Sequence, residues 1–295
     1  MAKAASPVAG SPPGRAPVAR SVARGGDVAR ATRFWWWAPG FATVINMSGA
    51  FAALVVLQFA LAAATLIGLT FITAPYGRHS RAGWGPTVPA RVGWIVMEAV
   101  SPIVFAAVFL AGTRRAEVVP LVFLALWQLH YLQRSFIYPF LMRGGRRMPV
   151  LVVLLAIGFN LLNAYINARW VSSLGEYPLS WLADPRFLLG VAVFLAGYAI
   201  NLSADRTLRR LRAAGETGYK IPYGGLYRWV SCPNYLGEII EWCGWALATW
   251  SWPGLAFAAY TAANLGPRAV QNHRWYQRTF PDYPANRRAL IPGVL

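Results

Sequence analysis

Residues 91–111 read RVGWIVMEAVSPIVFAAVFLA, a run long and apolar enough to cross a bilayer. After Arg91 at its start, Glu98 is the only charged residue in this run. A carboxylate at membrane depth costs about 3 kcal/mol or more, so such a residue is usually paired, protonated or part of a functional site. The run therefore predicts a membrane-spanning helix that carries a functional acid.

The composition of the whole chain favours a membrane protein. Hydrophobic residues make up 57% of the 295 residues, whereas a soluble domain has roughly 45–50%. The net charge of +18 is also typical of nucleic-acid-binding proteins. Here, however, the arginines lie between the apolar runs and not on one polar face. We therefore expect the lipid bilayer as the partner, no nucleic acid, and a monomer.

Apolar segments of about 20 residues recur along the chain, which is the length of a transmembrane helix. They predict an all-α polytopic membrane protein with seven transmembrane helices, at about residues 42–72, 92–112, 118–142, 149–171, 186–208, 232–252 and 254–276. Residues 1–33 lack an apolar period and are predicted to be a disordered basic tail. Residues 34–295 are predicted to form a single membrane domain. Cys232 and Cys243 are expected to be free thiols of its core, without a disulfide framework or a metal site.

The distribution of arginine predicts the orientation of the chain in the membrane. The loops at 143–148 and 206–228 and the C-terminal tail are rich in arginine, which places them and the C-terminus in the cytoplasm. Two features of the sequence disagree with this orientation. The tail 1–33 would lie outside despite its six basic residues, and Arg114 and Arg115 would face outward.

Glu98 and Tyr131 are predicted to reach the same half of the helix bundle. Glu98 lies roughly 10 Å from the cytoplasmic end of the second predicted span, and Tyr131 lies roughly 16 Å from the same face in the third. Consecutive antiparallel spans are usually neighbours, so the two groups can share a pocket. A neutral carboxylic acid and a phenol both donate hydrogen bonds, and two converging donors form an oxyanion site. In the alternative, Glu98 pairs with Arg134 to join two helices, and Tyr131 is a packing residue. His130 is adjacent to Tyr131 but lies on another helix face and is predicted to be structural.

Three polar stripes emerge from the apolar helices near the predicted cytoplasmic side. Within each stripe the residues recur every three or four positions and therefore share a helix face. The stripes are Asn201, Asp205, Arg209 and Arg212; Asn234, Glu238 and Glu241; and Arg268, Asn272 and Tyr276. Arginine suits phosphate, a carboxylate suits a ribose hydroxyl, and an amide suits a carboxamide, so the stripes indicate a large ligand with phosphates and polar rings. Any one stripe alone is also explained by hydrogen bonds between helices. A Rossmann-type site is not expected, because no Gly-x-Gly-x-x-Gly follows a predicted strand.

Several runs resemble the steroid 5α-reductase family. The C-terminal signature reads GGLYRWVSCPNYLGEIIEW at 224–242 and LGPRAVQNHRWY at 265–276, followed by FPDYP at 280–284 and RRALIP at 287–292. The run LHYLQRSFIY at 129–138 resembles the third span of the family. The likeness covers about residues 42–295. It implies a seven-span NADPH-dependent reductase of the bacterial inner membrane, a 3-oxo-5α-steroid 4-dehydrogenase acting on a steroid or another lipid-like enone.

The resemblance also implies roles for residues at matching positions. Glu98 and Tyr131 match the catalytic pair that contacts the 3-keto oxygen of the steroid, and Trp94 and Trp242 are expected to pack on the substrate. The implied NADPH contacts are Asn201, Asp205, Arg212, Asn234, Glu238, Arg268, Asn272 and Tyr276, joined by Arg134, Tyr138, Arg143, Arg146 and Arg287. Two positions depart from the family pattern. The residues around the acid are Met97-Glu98-Ala99-Val100-Ser101 in place of Gln-Glu-Leu-Pro-Ser, which bears on the substrate pocket, and Asn272 stands where histidine is common.

Three other functions remain open at this point. A membrane methyltransferase of the isoprenylcysteine carboxyl type would share the polar C-terminal helices but use S-adenosylmethionine, which would leave Glu98 and Tyr131 without a role. An enoyl or polyprenol reductase would use the same cofactor on a linear substrate. A receptor or transporter would need no reactive pair, but no inverted repeat is visible in the sequence.

Overall fold

The computed structural model describes Ala2, residues 49–142, 147–212, Glu216 and residues 218–295. The chain divides into two units, Met1–Pro39 and Gly40–Leu295, and all the described helices belong to the second. The predicted basic tail, apart from Ala2, and the predicted cofactor contacts Arg143 and Arg146 lie outside the described residues.

The described part of the chain is built from α-helices. They are α1 Gly49–Phe71, α2 Ala90–Leu110, α3 Val118–Leu132, α4 Tyr138–Leu141, α5 Val150–Arg169, α6 Pro185–Arg210, α7 Pro233–Thr249 and α8 Trp252–Thr279. A π-helical turn, Gln133–Ile137, joins α3 to α4 without a break in the chain's helical course, and a second, Trp170–Leu174, extends α5. With α3 and α4 taken together, each helical segment falls on one predicted apolar segment, within a few residues at each described end.

Four of the described helical segments are long and apolar enough to cross a membrane. They are Gly49–Phe71, Ala90–Leu110, Val150–Leu174 and Pro185–Arg210. Helix α7 has 17 residues, and α8 carries several polar residues in its second half. The described chain is therefore mostly helical, with four candidate membrane-spanning helices, as expected for an all-α membrane protein. The count of seven spans stays a prediction.

Local sequence signals explain where two of these helices begin. The Asp184 carboxylate caps α6 by accepting a hydrogen bond of 2.8 Å from the Arg186 backbone N–H. The Ser251 hydroxyl caps α8 by accepting one of 3.1 Å from the Gly254 backbone N–H. Trp250 adopts a left-handed backbone conformation with φ 43°, which ends α7 and allows α8 to start two residues later.

Helices α6 and α7 approach each other closely because four glycines line their contact. Gly190 and Gly197 on α6 face Gly237 and Gly244 on α7, and a Cβ at any of the four would lie under 3.0 Å from the other helix's backbone. Small residues at a helix contact permit this close approach of two backbones. The contact brings the polar end of α6 against the start of α7, so two of the predicted polar stripes face each other.

A short antiparallel strand pairing, which the sequence did not predict, joins two distant segments. Strand β1, Thr87–Pro89, pairs antiparallel with β2, Arg147–Pro149, with Thr87 opposite Pro149. Helices α2 and α5 begin directly after these strands, so the pairing holds their first turns side by side.

Buried amides on α5 connect it to three other helices. Gln58 Nε2 donates to Asn163 Oδ1 at 2.9 Å, Asn160 Nδ2 to the Met97 carbonyl at 2.7 Å, and Trp245 Nε1 to Asn167 Oδ1 at 2.9 Å. Hydrogen bonds between helices hold a bundle together where lipid offers no hydrophobic driving force. The two cysteines are free, as predicted, but Cys243 is exposed, so its predicted place in the core was wrong.

Candidate active site

A cavity of about 730 Å³ lies between the helices and is lined by residues of α2, α3, α5, α6, α7 and α8 and of the loop 74–79. The wall formed by α2, α5 and the first half of α8 is mainly apolar, with Trp94, Met97, Val152, Phe159 and Phe257. The wall formed by α6, the start of α7 and the second half of α8 is mainly polar. Such a cavity fits a ligand set with one apolar and one highly polar component.

The structure brings Glu98 and Tyr131 into this one cavity, from helices α2 and α3. Tyr131 is 4% exposed, and its ring is held by Trp127 and Trp242 at centroid distances of 5.0 and 5.7 Å. Glu98 is half-buried and has no hydrogen bond or ion pair within the described residues. Both groups are therefore available to a molecule in the cavity.

Arg134, the partner that the alternative assigned to Glu98, is engaged elsewhere. Its guanidinium lies 3.4 Å from Asp205 Oδ2 and 3.7 Å from Glu238 Oε2. It also lies over the rings of Trp94 and Tyr138, at 4.8 and 4.5 Å from their centroids. Arg134 thus joins the carboxylates of α6 and α7 to the aromatic residues beside Glu98.

The stripes on α6 and α7 form one hydrogen-bonded surface. Asn234 Nδ2 donates to Asp205 Oδ1 at 3.1 Å, and both residues line the cavity together with Glu238. Asn201 lies behind them and donates to the Asn234 carbonyl at 2.9 Å and to Glu238 Oε2 at 3.4 Å. Asn201 therefore positions cavity residues and does not itself line the cavity.

The stripe on α8 completes the polar wall with help from a loop. Arg268 lies between the rings of Tyr76 and Tyr235, at 4.7 and 5.2 Å, and its Nη2 donates to Tyr235 Oη at 3.1 Å. His79 Nε2 donates to Asn272 Oδ1 at 3.0 Å. Arg209 of α6 and Arg212, which lies two residues after the end of α6, line the same wall.

Three more of the predicted contacts lie outside the cavity wall. Trp242 is 1% exposed and packs behind Tyr131 and Phe257. Tyr276 stacks on Tyr283 at 5.1 Å, and Arg287 lines a separate hollow with its guanidinium 5.0 Å from the centre of the Tyr223 ring.

The sequence did not single out Tyr76, Arg78 and His79, which line the cavity from the loop after α1. The only signal in the sequence was an aromatic and two basic residues next to each other between two predicted spans. Burial raises the pKa of the Tyr76 phenol to about 12, and burial also lowers the pKa of His79. The amide of Asn160 and the hydroxyl of Thr261, both on the largely apolar wall, were missed too.

The cavity has the donor set that a polyanionic cofactor needs. Six arginines line it against three carboxyl groups: Arg78, Arg134, Arg147, Arg209, Arg212 and Arg268 against Glu98, Asp205 and Glu238. Arg78 Nη1 and Arg209 Nη1 are buried and have no acceptor within the described residues. Buried guanidinium nitrogens without acceptors fit the phosphates of a dinucleotide such as NADPH, because arginine binds phosphate oxygens strongly.

Comparison with known proteins agrees with the resemblance seen in the sequence. Residues 146–295 match the family model for 3-oxo-5-alpha-steroid 4-dehydrogenase. The chain is 45% identical over 247 residues to 3-oxo-5-alpha-steroid 4-dehydrogenase 1 of Bos taurus, which covers 82% of this chain and 96% of the bovine protein. It is 45% identical over 244 residues to a steroid 5-alpha-reductase of Gossypium hirsutum, covering 80% of this chain and 94% of the plant protein. It is 43% identical over 244 residues to 3-oxo-5-alpha-steroid 4-dehydrogenase 1 of Homo sapiens, covering 82% of this chain and 94% of the human protein.

Proposed function

The chain belongs to the 3-oxo-5-alpha-steroid 4-dehydrogenase family, an oxidoreductase family, and from that premise we propose that it reduces the Δ4 double bond of 3-oxo-Δ4-steroids with NADPH. The product is the 5α-3-oxosteroid. The observation that carries the proposal is the shared cavity, which holds Glu98 and Tyr131 beside an apolar wall and an arginine-rich wall.

Glu98 and Tyr131 bind the 3-keto oxygen of the substrate as hydrogen-bond donors. Negative charge grows on this oxygen as the conjugated double bond is reduced, so donors aimed at it bind the transition state more strongly than the ground state. Glu98 acts in its protonated form, since only the acid can donate. The absence of an ion pair between Glu98 and Arg134 within the described residues supports this role.

NADPH, when bound, supplies the hydride that is transferred to C5. Arg78, Arg209, Arg212 and Arg268 are the residues that would hold its phosphates, and Asp205, Asn234, Glu238 and Asn272 would bind its polar rings. Arg134 orients Asp205 and Glu238, and the aromatic residues Tyr76, Tyr138 and Tyr235 enclose the polar wall. Of the remaining contacts expected from the resemblance, Asn201 and Tyr276 support these residues from behind. Arg287 lines a separate hollow, and Arg143 and Arg146 lie outside the described residues.

The apolar wall binds the steroid skeleton. Trp94, Met97, Phe159 and Phe257 offer the apolar surface that a fused-ring substrate needs, and Trp242 supports Tyr131 and Phe257 from behind. We infer a monomer with seven spans and a cytoplasmic C-terminus in a bacterial inner membrane. An apolar substrate enters its cavity laterally from the lipid.

The direct test incubates membranes that contain the protein with NADPH and a panel of 3-oxo-Δ4-steroids, a linear enone and a polyprenol. The expected result is the 5α-3-oxosteroid together with stoichiometric loss of NADPH. Reduction confined to the linear substrates would reject the steroid as substrate. In a parallel incubation with S-adenosylmethionine, methyl transfer, together with no loss of NADPH in the first incubation, would reject the reductase.

A further inference from the structure

His130 and Glu241 form a buried pair that the proposed chemistry has not used. His130 Nδ1, on α3, lies 2.8 Å from Glu241 Oε1, on α7, and the two side chains are 5% and 0% exposed. The other carboxyl oxygen, Glu241 Oε2, has no hydrogen-bond partner within the described residues. The pair is therefore isolated from water on the Glu241 side.

The other side of the imidazole, away from Glu241, borders the cavity. His130 lines the cavity whereas Glu241 does not, so the histidine lies between the carboxyl group and the cavity. Its ring is 4.8 Å from that of Tyr131, centroid to centroid. Since Nδ1 is held by Glu241, Nε2 is the nitrogen left for another partner, and it has no hydrogen bond within the described residues. A carboxyl group that fixes one imidazole nitrogen and leaves the second to a ligand is the arrangement of a general acid or base.

A purely structural role does not require a titratable pair at this place. The same bundle joins α1 to α5 with the neutral amides of Gln58 and Asn163. A buried ion pair is seldom more stabilising than a neutral or apolar replacement, because both charges lose their hydration. The position of His130 beside Tyr131 instead points to a role in proton transfer.

We propose that His130 is a further catalytic residue, which donates the proton that C4 of the substrate receives, and that Glu241 is its positioning residue. This inference rests on the proposed function. The reaction needs such a donor, because hydride transfer to C5 leaves an enolate whose oxygen is bound by Glu98 and Tyr131. A proton placed on that oxygen would give only the enol, so C4 still needs a proton of its own.

The proton transfer balances with the groups at hand. The Nε2–H bond of the neutral imidazole breaks, while the enolate electrons form the C4–H bond and the C3 carbonyl returns. As this proton leaves, the proton of the Glu241 carboxylic acid moves to Nδ1, so the imidazole stays neutral and Glu241 is left as the carboxylate. A proton from water then restores the starting protonation of the pair for the next turnover.

The lining carboxylates other than Glu98, and the second lining histidine, have partners on the polar wall. Asp205 and Glu238 face Arg134, and His79 donates to Asn272 from the polar wall. His130 is the lining histidine whose ring adjoins that of Tyr131, the residue that binds the oxygen on C3 in the proposed complex. Since C4 is bonded to C3, the imidazole is on the side of the cavity where C4 would lie.

The test uses the reverse of this step and needs no hydride transfer. The purified protein is incubated in D₂O with NADP⁺ and a 5α-3-oxosteroid, and deuterium at C4 is measured by NMR. The wild type is expected to exchange one of the two C4 hydrogens. His130→Gln should slow this exchange ~10²-fold or more, as is typical for loss of a general acid or base. Glu241→Gln should also slow it, with a fall in kcat for enone reduction and an unchanged KM for the steroid.

Tyr198→Phe is the matched control. Tyr198 borders the His130 ring at 6.4 Å but does not line the cavity, so its exchange rate should equal that of the wild type. Retained NADPH binding shows that each variant is folded. If His130→Gln does not bind NADPH, the exchange rate of Glu241→Gln is used to test the inference instead.

Two results would overturn the inference. The first is a wild-type rate of C4 exchange in His130→Gln, which would show that the proton has another source. If His130→Gln does not bind NADPH, a wild-type rate in a folded Glu241→Gln variant would show the same. The second is a wild-type protein that reduces the enone but never exchanges a C4 hydrogen for deuterium. That result would overturn the inference and leave the proposed function intact. Failure of the wild type to reduce any 3-oxo-Δ4-steroid would instead count against the proposed function itself.

Discussion

The Asn234 side chain donates a hydrogen bond of 3.1 Å to Asp205 Oδ1, and this contact joins the polar stripes of α7 and α6 into one wall of the cavity. On its other oxygen, Asp205 faces Arg134 at 3.4 Å. A single carboxylate thus orients an amide and a guanidinium that both line the cavity.

We expect Asp205→Ala to raise the apparent KM for NADPH about tenfold, since hydrogen bonds to charged groups contribute about 1.5–3 kcal/mol. The reason is that Arg134 and Asn234 would lose the acceptor that orients them. Steady-state kinetics with NADPH as the varied substrate measure the effect. Asp282→Ala removes the same charge from an exposed position and should leave the KM unchanged. An unaltered KM in Asp205→Ala would mean that this wall is only structural.

Replacing the Glu98 carboxylic acid by an amide, which is a much weaker acid and hydrogen-bond donor, or deleting the Tyr131 hydroxyl should lower turnover and spare cofactor binding. We expect Glu98→Gln and Tyr131→Phe to reduce kcat for steroid reduction by ~10²–10³, the range found for other oxyanion donors. NADPH affinity should stay within about twofold, because neither residue belongs to the arginine-rich wall. Single-turnover reduction and a separate NADPH titration distinguish the two effects.

The control for this pair is Tyr165→Phe, which removes a phenol that is 39% exposed and lies outside the cavity lining. It should turn over at the wild-type rate. Wild-type turnover in both Glu98→Gln and Tyr131→Phe would refute their assignment.

The helices of this protein were predictable because apolar runs of membrane length are strong local signals. The stripe of Asp205 and Arg209 was also visible, since its spacing is a property of one helix. Which stripes meet depends on packing between helices, and the sequence carried that information only as the heptad spacing of Gly190 and Gly197 and of Gly237 and Gly244. The structure shows the consequence, which is close contact between the backbones of α6 and α7.

This glycine contact predicts a stability difference between two similar substitutions. Gly197→Ala would place a Cβ against the backbone of Glu241 and Gly237, so the two helices must separate. We expect a loss of about 1–3 kcal/mol, typical of overpacking, and a lower midpoint of thermal unfolding in detergent. Gly158→Ala on α5 meets nothing within 4 Å and should unfold at the wild-type temperature or slightly above it. Equal midpoints for Gly197→Ala and Gly158→Ala would contradict the close approach.

Other parts of the site could not be predicted from local patterns. Tyr76, Arg78 and His79 belong to a loop whose sequence has no period, and only the tertiary structure places them against α8. Trp242 follows the family signature, yet it packs behind the wall because Tyr131 and Phe257 lie in front of it. The position of a residue along a helix indicates on which face of the helix it lies. Whether its side chain reaches the cavity or packs behind other side chains depends on the neighbouring helices.

His79 should make stability depend on pH in a definite direction. Burial lowers its pKa from the ordinary value of about 6.5, with help from the charges of Arg78 and Arg268 and against the hydrogen bond to Asn272. The folded protein therefore favours neutral His79 more than the unfolded chain does. The resulting stabilisation is present above about pH 6.5 and is lost as the pH falls through the lower pKa of the folded state.

We expect the unfolding midpoint of the NADPH-free protein to fall between about pH 7.5 and 5.5, and to fall less in His79→Gln. Glutamine keeps a donor for Asn272 but cannot gain a proton, so the difference between the two slopes isolates the histidine. Ser80→Ala, in the next and exposed position, should keep the full dependence of the wild type. Identical slopes for wild type and His79→Gln would show that the loop does not hold His79 in a half-buried, neutral state against α8.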